Sequence, residues 1–409
     1  MIQDNGRGPP TEEIVNSMIR SNAASVALAL MLIGCGSVRV GSKVEVGRAG
    51  DLRVRTDPDL GRRLEALRKE GGVPGIGAGI LRGDDLTVAV AGVRRIDQEV
   101  ALEPTDAFHL GSDTKAITAS TVARLVDRGV LRWDESLAEA MPEFTDMNPA
   151  FKAVTLEMLL RHVAGLPQSG AFTPEFTEGF DESWPVVQQR AWMARRFLSR
   201  PPLEPPGTRF VYSNYGYLIV GHILERVTGT AWEDLVRQEV FRPLGMVDCG
   251  FGPTATKATP SGSWAHDVKD GRYVPTEEDN PPLIGPAGTV HCSLEAWARF
   301  ARAHAHPDAG EWLTSPSMAH LHEPNEVAGT SPGKDIGLGW GVTRTDPPRL
   351  THSGSNGYNV AEIVVIPRLG AAVMVVCNAG DERARDLSRR VRDLLVEELM
   401  SESGSSTRE

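Results

Sequence analysis

Ser112 and Lys115 stand three residues apart in FHLGSDTKAITAS, residues 108 to 120, where the pattern predicts the start of a helix. A serine at that point can cap the helix, its hydroxyl accepting from the free N–H groups of the first turn. The lysine fits poorly, because the positive end of a helix disfavours a cation and a capping box would place Glu or Gln there. The same field, together with burial, lowers an amine from its reference pKa of about 10.4. Residues three apart share a helix face, so a neutral amine would lie within reach of a hydroxyl, as a base lies beside its nucleophile.

Two more groups could join that pair. Tyr212-Ser213-Asn214 falls at the entry to a helix in PPGTRFVYSNYGYLIVG. As structure, it is a packed aromatic followed by an N-cap asparagine. As chemistry, a phenol lowered from about 10 by nearby cations can relay a proton, and the amide of Asn214 can hold a substrate carbonyl and the lysine. His352-Ser353-Gly354-Ser355, in RLTHSGSNGY, reads as a strand end running into a turn. Functionally, Gly354 would let substrate lie along the strand edge, the His352 imidazole would bond the phenol, and a backbone N–H would point at an oxyanion. Ser-x-x-Lys recurs at Ser331-Pro332-Gly333-Lys334, and Gly329 to Gly333 also fits a G-x-S-x-G elbow. Pro332 lacks the N–H that an elbow uses and no helix follows, so Ser331 is set aside.

The elements that must carry these residues are legible. Leu60, Leu64 and Leu67 recur at helical spacing, and GIGAGILR with LTVAVAGVRR predicts a hairpin around Gly83-Asp84-Asp85. Within an insertion of about residues 112 to 285, the signals from 112 to about 245 are mainly helical: ITASTVARLVDRG, VTLEMLLRHV, VVQQRAWMARRFLSR and YGYLIVGHILERVTG. Stretches 253 to 286 and 324 to 335 read as loops around the helix LEAWARFARAHA. IGLGWGVTRT, RLTHSGS, NVAEIVVIP and AAVMVVCNA predict four strands, DLSRRVRDLLVEELM an amphipathic last helix, and residues 401 to 409 a disordered tail. The fold class is therefore α+β: an antiparallel sheet built from both ends of the domain, residues 54 to 400, with a mainly helical subdomain inserted. The crevice between the two parts is where a small-molecule or peptide substrate would bind.

With 409 residues, 41% hydrophobic and 24% charged, the chain can bury a sizeable core. A net charge of -11 and scattered Lys and Arg argue against a nucleic-acid partner. Ala23 to Ile33 is an apolar run too short to span a bilayer, after Arg20 and before small residues, which is the layout of an export signal over residues 1 to 34. The leader before it carries Asp4, Glu12 and Glu13, the wrong sign for such a signal, so Met18 is a candidate start. Residues 35 to 53 read as a tether. Cys249, Cys292 and Cys377 have no metal spacing and are expected as small buried thiols, although any disulfide among them would strand one. His304 with His306, and His320 with His322, lack a third ligand at motif spacing, so neither a metal nor another cofactor is expected.

In order and spacing, the three motifs resemble the signature set of penicillin-recognising serine enzymes: Ser-x-x-Lys, Tyr-x-Asn, and Lys-Thr-Gly or its His variant. VTLEMLLRHVAGLP, PPGTRFVYSNYGYLIVGHILERVTG, FRPLGM and GPAGTVHCS extend the resemblance over about residues 56 to 400. The tyrosine of the second motif makes the chain similar to class C β-lactamases, D-alanyl-D-alanine carboxypeptidases, D-aminopeptidases and related esterases. The resemblance implies that Ser112 is acylated, Lys115 deprotonates it, Tyr212 relays the proton, Asn214 orients substrate and lysine, and the N–H groups of Ser112 and Ser355 form the oxyanion hole. Separately, Leu32-Ile33-Gly34-Cys35 resembles the lipobox of bacterial lipoproteins, which implies a bacterial cell-envelope location with Cys35 carrying the lipid as the only membrane contact. Ser353 stands for the usual threonine and His352 for the usual lysine. The second change removes charge at neutral pH and points toward peptidases and esterases more than efficient β-lactamases.

Overall fold

A computed structural model describes residues 51–167, 174–309, 312–330 and 333–405. The expected signal, Met18, Cys35, most of the tether and Ser331 with Pro332 lie outside the described residues.

NVAEIVVIP and AAVMVVCNA contain long apolar runs, as strands buried on both faces require. They form strands whose side chains alternate between two cores. In Ala371–Cys377, Ala372, Met374 and Val376 face one core, while Val373, Val375 and Cys377 face the other. The strands are β1 (Arg53–Thr56), β2 (Gly75–Arg82), β3 (Asp85–Gly92), β4 (Ala107–His109), β5 (Gly250–Phe251), β6 (Ala265–Lys269), β7 (Arg272–Thr276), β8 (Val290–Ser293), β9 (Lys334–Ile336), β10 (Gly341–Thr343), β11 (Leu350–Ser355), β12 (Val360–Ile366) and β13 (Ala371–Cys377). The main sheet has eight strands in the order β1-β3-β2-β13-β12-β11-β10-β9.

Helices cover both faces. α1 (Pro58–Gly71) and α7 (Glu382–Ser405) lay Leu60, Leu64, Leu387, Val391 and Leu395 on one side. The other side packs against α6 (Leu294–Ala305) and the helical region that holds α2 (Thr114–Asp127), α3 (Leu156–Leu160), α4 (Val186–Leu198) and α5 (Asn214–Thr228). The architecture is the expected α+β one, with four corrections. The sheet is mixed, because β1 pairs parallel with β3, and Arg53 of the expected tether begins that strand. The chain is mainly helical as far as Leu244, but the stretch expected as loop contains the β6–β7 hairpin, closed at Asp270-Gly271, and a short helix at Gly285–Gly288. Helix α7 runs on to Ser405, into the expected tail. Cys249 and Cys292 form a disulfide, leaving Cys377 as a buried free thiol whose pKa burial pushes up to about 12.

Candidate active site

Strand β4 delivers the chain into a 3-10 turn, Gly111–Asp113, which opens α2. Gly111 has φ +51°, and a Cβ there would collide with the Ser355 N–H on β11. A Cβ on Gly354 would strike the Leu110 carbonyl and lie 3.0 Å from the Ser112 nitrogen. The two glycines thus let strand and turn touch, bringing the backbone nitrogens of Ser112 and Ser355 together. Ser112 does not cap the helix as the sequence suggested; the entry to α2 has no side-chain cap bond.

Lys115 is fully buried. Its Nζ lies 2.7 Å from Asn214 Oδ1, 2.7 Å from the Ala287 carbonyl and 3.1 Å from Ser112 Oγ. Burial drives the amine well below its usual pKa, opposed by Asp113. A neutral amine has two N–H donors and one lone pair. Asn214 and Ala287 take the donors, so the lone pair falls to the Ser112 hydroxyl. The sequence pointed to Asn214 but not to Ala287, whose contribution is a carbonyl and so carries no residue signal.

The Tyr212 hydroxyl donates to Ser112 Oγ at 2.8 Å. Contrary to the expectation of a cation-lowered phenol, burial raises its pKa, and the bond to Ser112 only partly opposes this. Tyr212 therefore holds its proton at rest. Behind it lies His162, ring centroids 4.5 Å apart, whose Nδ1 accepts from the Ser213 N–H at 3.1 Å. Ser213, not Asn214, caps α5 through Tyr215 N, which frees the asparagine side chain for Lys115.

His352 departs furthest from expectation. It does not bond the phenol. Its Nδ1 donates to the Ser353 carbonyl at 3.2 Å and stands 2.9 Å from Asp113 Oδ1. Burial, with Lys115 nearby, lowers the imidazole to about 3, so it is neutral. Asp113 was not singled out in the sequence, although a carboxylate beside the serine is its own signal. Both its oxygens are buried without an aligned hydrogen bond among the described residues. Ser353 Oγ donates to Glu362, and Ser355 Oγ donates to the Asn359 carbonyl and accepts from Arg385. A second buried network flanks the turn: Gly111 N–H donates to His109 Nδ1, leaving Nε2 to face Asp279 at 3.0 Å, and Asp279 also accepts from Asn356.

Ser112, Tyr212, Gly354 and Ser355 line a cleft of about 340 Å³. The site brings together Ser112, Lys115, Tyr212, Asn214, His352, Gly354 and Ser355. Among the described residues no cluster of three or more His, Cys, Asp or Glu could hold a metal. His304 Nδ1 instead meets His322 Nε2 at 2.8 Å, and His320 faces Glu157 and Glu323.

A model of the Beta-lactamase family matches residues 60–397. The chain is 30% identical over 332 residues to penicillin-binding protein 4 of Amycolatopsis lactamdurans, covering 78% of this chain and 84% of that protein. Its fold is similar to the octameric penicillin-binding protein homologue from Pyrococcus abyssi, with a TM-score of 0.68, 24% identity, and coverage of 83% and 77% of the two chains. It is also similar to D-amino acid amidase from Ochrobactrum anthropi SV3, with a TM-score of 0.66, 21% identity and coverage of 84% and 99%.

Proposed function

Because the chain belongs to the beta-lactamase family of hydrolases, we propose that it is an exported serine hydrolase that cleaves an amide or ester through an acyl-enzyme on Ser112. The observation that carries this reading is the convergence on Ser112 Oγ of a buried, donor-saturated amine and a phenol that still holds its proton. Ser112 attacks the substrate carbonyl while its proton passes to Lys115. The oxyanion is met by the N–H groups of Ser112 and Ser355, preorganised by the close approach of Gly111 and Gly354. Tyr212 gives its proton to the leaving amine or alcohol and regains one from Lys115. Water then attacks the ester by the reverse route, and the two groups return to their resting states. A protein that only bound such ligands would have no use for a neutral Lys115 and a protonated Tyr212 on one oxygen.

For the substrate we favour a D-amino-acid peptide or amide, or a small ester, over a β-lactam. The neutral His352 supports this, since it stands where a cation would meet the carboxylate of a β-lactam. Export is supported by the Cys249–Cys292 disulfide, which belongs to an oxidising compartment. The lipobox-like Cys35 supports attachment to the cell envelope.

The test is a mass adduct. Fluorophosphonate should add to the mature protein and not to Ser112→Ala, and a fluorescent penicillin should label weakly or not at all. If neither reagent gives a Ser112-dependent adduct, the hydrolase reading is wrong. Lipidation is read separately, by detergent partition of the wild type against Cys35→Ser.

A further inference from the structure

Lys115 and Thr118 lie three apart on α2, and both are fully buried. They donate to neighbouring carbonyls: Lys115 Nζ to Ala287 at 2.7 Å and Thr118 Oγ1 to Pro286 at 2.7 Å. Those carbonyls belong to the short helix Gly285–Gly288, a single turn that cannot bond its own last carbonyls. The donors come from outside instead. Asn280 Nδ2 donates to Gly288 at 2.7 Å. Upstream, the buried guanidinium of Arg190 on α4 donates to Pro282 at 2.8 Å and Leu283 at 3.2 Å, while also pairing with Glu225 and Glu233. Pro286 is wedged from the other side, since a Cβ on Gly221 of α5 would collide with its Cγ. Of these donors, only Lys115 is a reacting group.

A lysine amine turns freely about its last bond. Its lone pair therefore points at Ser112 Oγ only while Asn214 and Ala287 hold the two N–H groups. We propose that Thr118 is a positioning residue for Lys115: by holding the Pro286 carbonyl it keeps the next carbonyl, Ala287, where the amine must donate, and so aims the lone pair at Ser112. Without the hydroxyl, Pro286 becomes a buried carbonyl lacking a partner, which is costly, and it competes with Ala287 for the lysine N–H. A second carbonyl beside the amine favours the ammonium and turns the lone pair away from the serine. The titratable groups facing Lys115 are Asp113, His162, Tyr212, Tyr217 and His352. Among the described residues the Pro286 carbonyl is bonded by Thr118 and by none of these, so a change in the lysine on replacing Thr118 reports that carbonyl. The inference rests on the acyl-enzyme reading for its effect on turnover, but not for its effect on the amine.

Thr118→Val keeps the shape and removes the donor, whereas Thr118→Ser keeps the donor. With p-nitrophenyl acetate, Thr118→Val should lower kcat about tenfold to 10²-fold, as a misplaced catalytic group does. KM should be nearly unchanged, and the acid limb of the pH profile should move to higher pH. Thr118→Ser should return both to near wild type. Should Thr118→Val lose its cooperative unfolding transition, Thr118→Cys, whose thiol is a weaker donor of similar size, carries the same test and the same expected shift. The second measurement needs no turnover. In protein labelled with ¹³C at the lysine Cε, the signal absent from Lys115→Ala reports this amine, and its titration should move to higher pH in Thr118→Val but not in Thr118→Ser. A titration that Thr118→Val leaves unmoved overturns the inference. So does an equal loss of kcat in Thr118→Val and Thr118→Ser, or a loss confined to the unfolding midpoint. Absence of Ser112-dependent turnover and fluorophosphonate adduct in the wild type would defeat the hydrolase reading instead, and the lysine signal would still decide how the amine is held.

Discussion

The two flanks of Ser112 are built differently. On the helical flank the side chains are joined by hydrogen bonds: Lys115 to Asn214 and the Ala287 carbonyl, Tyr212 to Ser112, and Ser213 to Tyr215 N–H. On the strand flank two glycines press backbone on backbone, the Ser353 and Ser355 hydroxyls donate away from the serine to Glu362 and the Asn359 carbonyl, and the buried Asp113 carboxyl has no aligned bond among the described residues. One flank sets where protons reside, and the other sets where atoms can fit. Reaction chemistry should therefore fail abruptly when the first is altered, while the second should tune rate and choice of substrate.

The largest effect should come from the helical flank. Lys115→Ala removes the lone pair that takes the serine proton, and kcat/KM should fall on the order of 10⁴-fold or more, with Ser112→Ala no worse than slightly lower. Comparable rates in Lys115→Ala would make Tyr212 the base and break the division between flanks. Next is Gly354→Ala, whose Cβ meets the Leu110 carbonyl and forces the Ser355 N–H away. Loss of one oxyanion donor costs about 10²- to 10³-fold in kcat, and KM should change much less.

A smaller but sharper test is the pH profile. Lys115 must be neutral to act, and its pKa is depressed by burial, so activity should rise with pH through a value well below about 10.4. His352, lowered to about 3, should add no step near neutrality. An acid limb near 6.5 that disappears in His352→Gln would reassign the base to the strand flank. Stability should share the lysine's sign: between the two pKa values the unfolded chain binds more protons, so stability rises with pH in that window. The least effect on chemistry should follow Cys292→Ser. Opening a link across 43 residues should cost about 3 to 4 kcal/mol by loop entropy, read as a lower midpoint in denaturant, with kcat nearly unchanged.

What the sequence made visible follows the same division. Lys115 was conspicuous because a cation in a first helical turn is misplaced, and β12 and β13 because apolar runs need burial on both faces. Features created by distant segments left no local trace. Asp113 and His352 meet across the whole helical insertion, the Ala287 carbonyl has no side-chain signal, and the Cys249–Cys292 pair is set by the docking of β5 on β8. The β6–β7 hairpin was legible in retrospect, since Asp270-Gly271 is a strong turn signal. Its flanks, AHDVK and RYVPT, carry too few apolar residues to stand out as strands. β1 was hidden likewise: its side chains are exposed and its pairing is parallel.

The sheet order has a temporal meaning. β2 pairs with β13, Ile76 opposite Cys377, so the central sheet cannot close until nearly the whole chain is available. Contacts of that sequence separation form late and slowly. An elongating chain that has reached Ser112 but not Ser355 possesses a serine, a lysine and, later, a tyrosine, yet no strand against which a carbonyl could be activated. Reactivity arrives with the last quarter of the polypeptide, and an incomplete molecule is chemically silent.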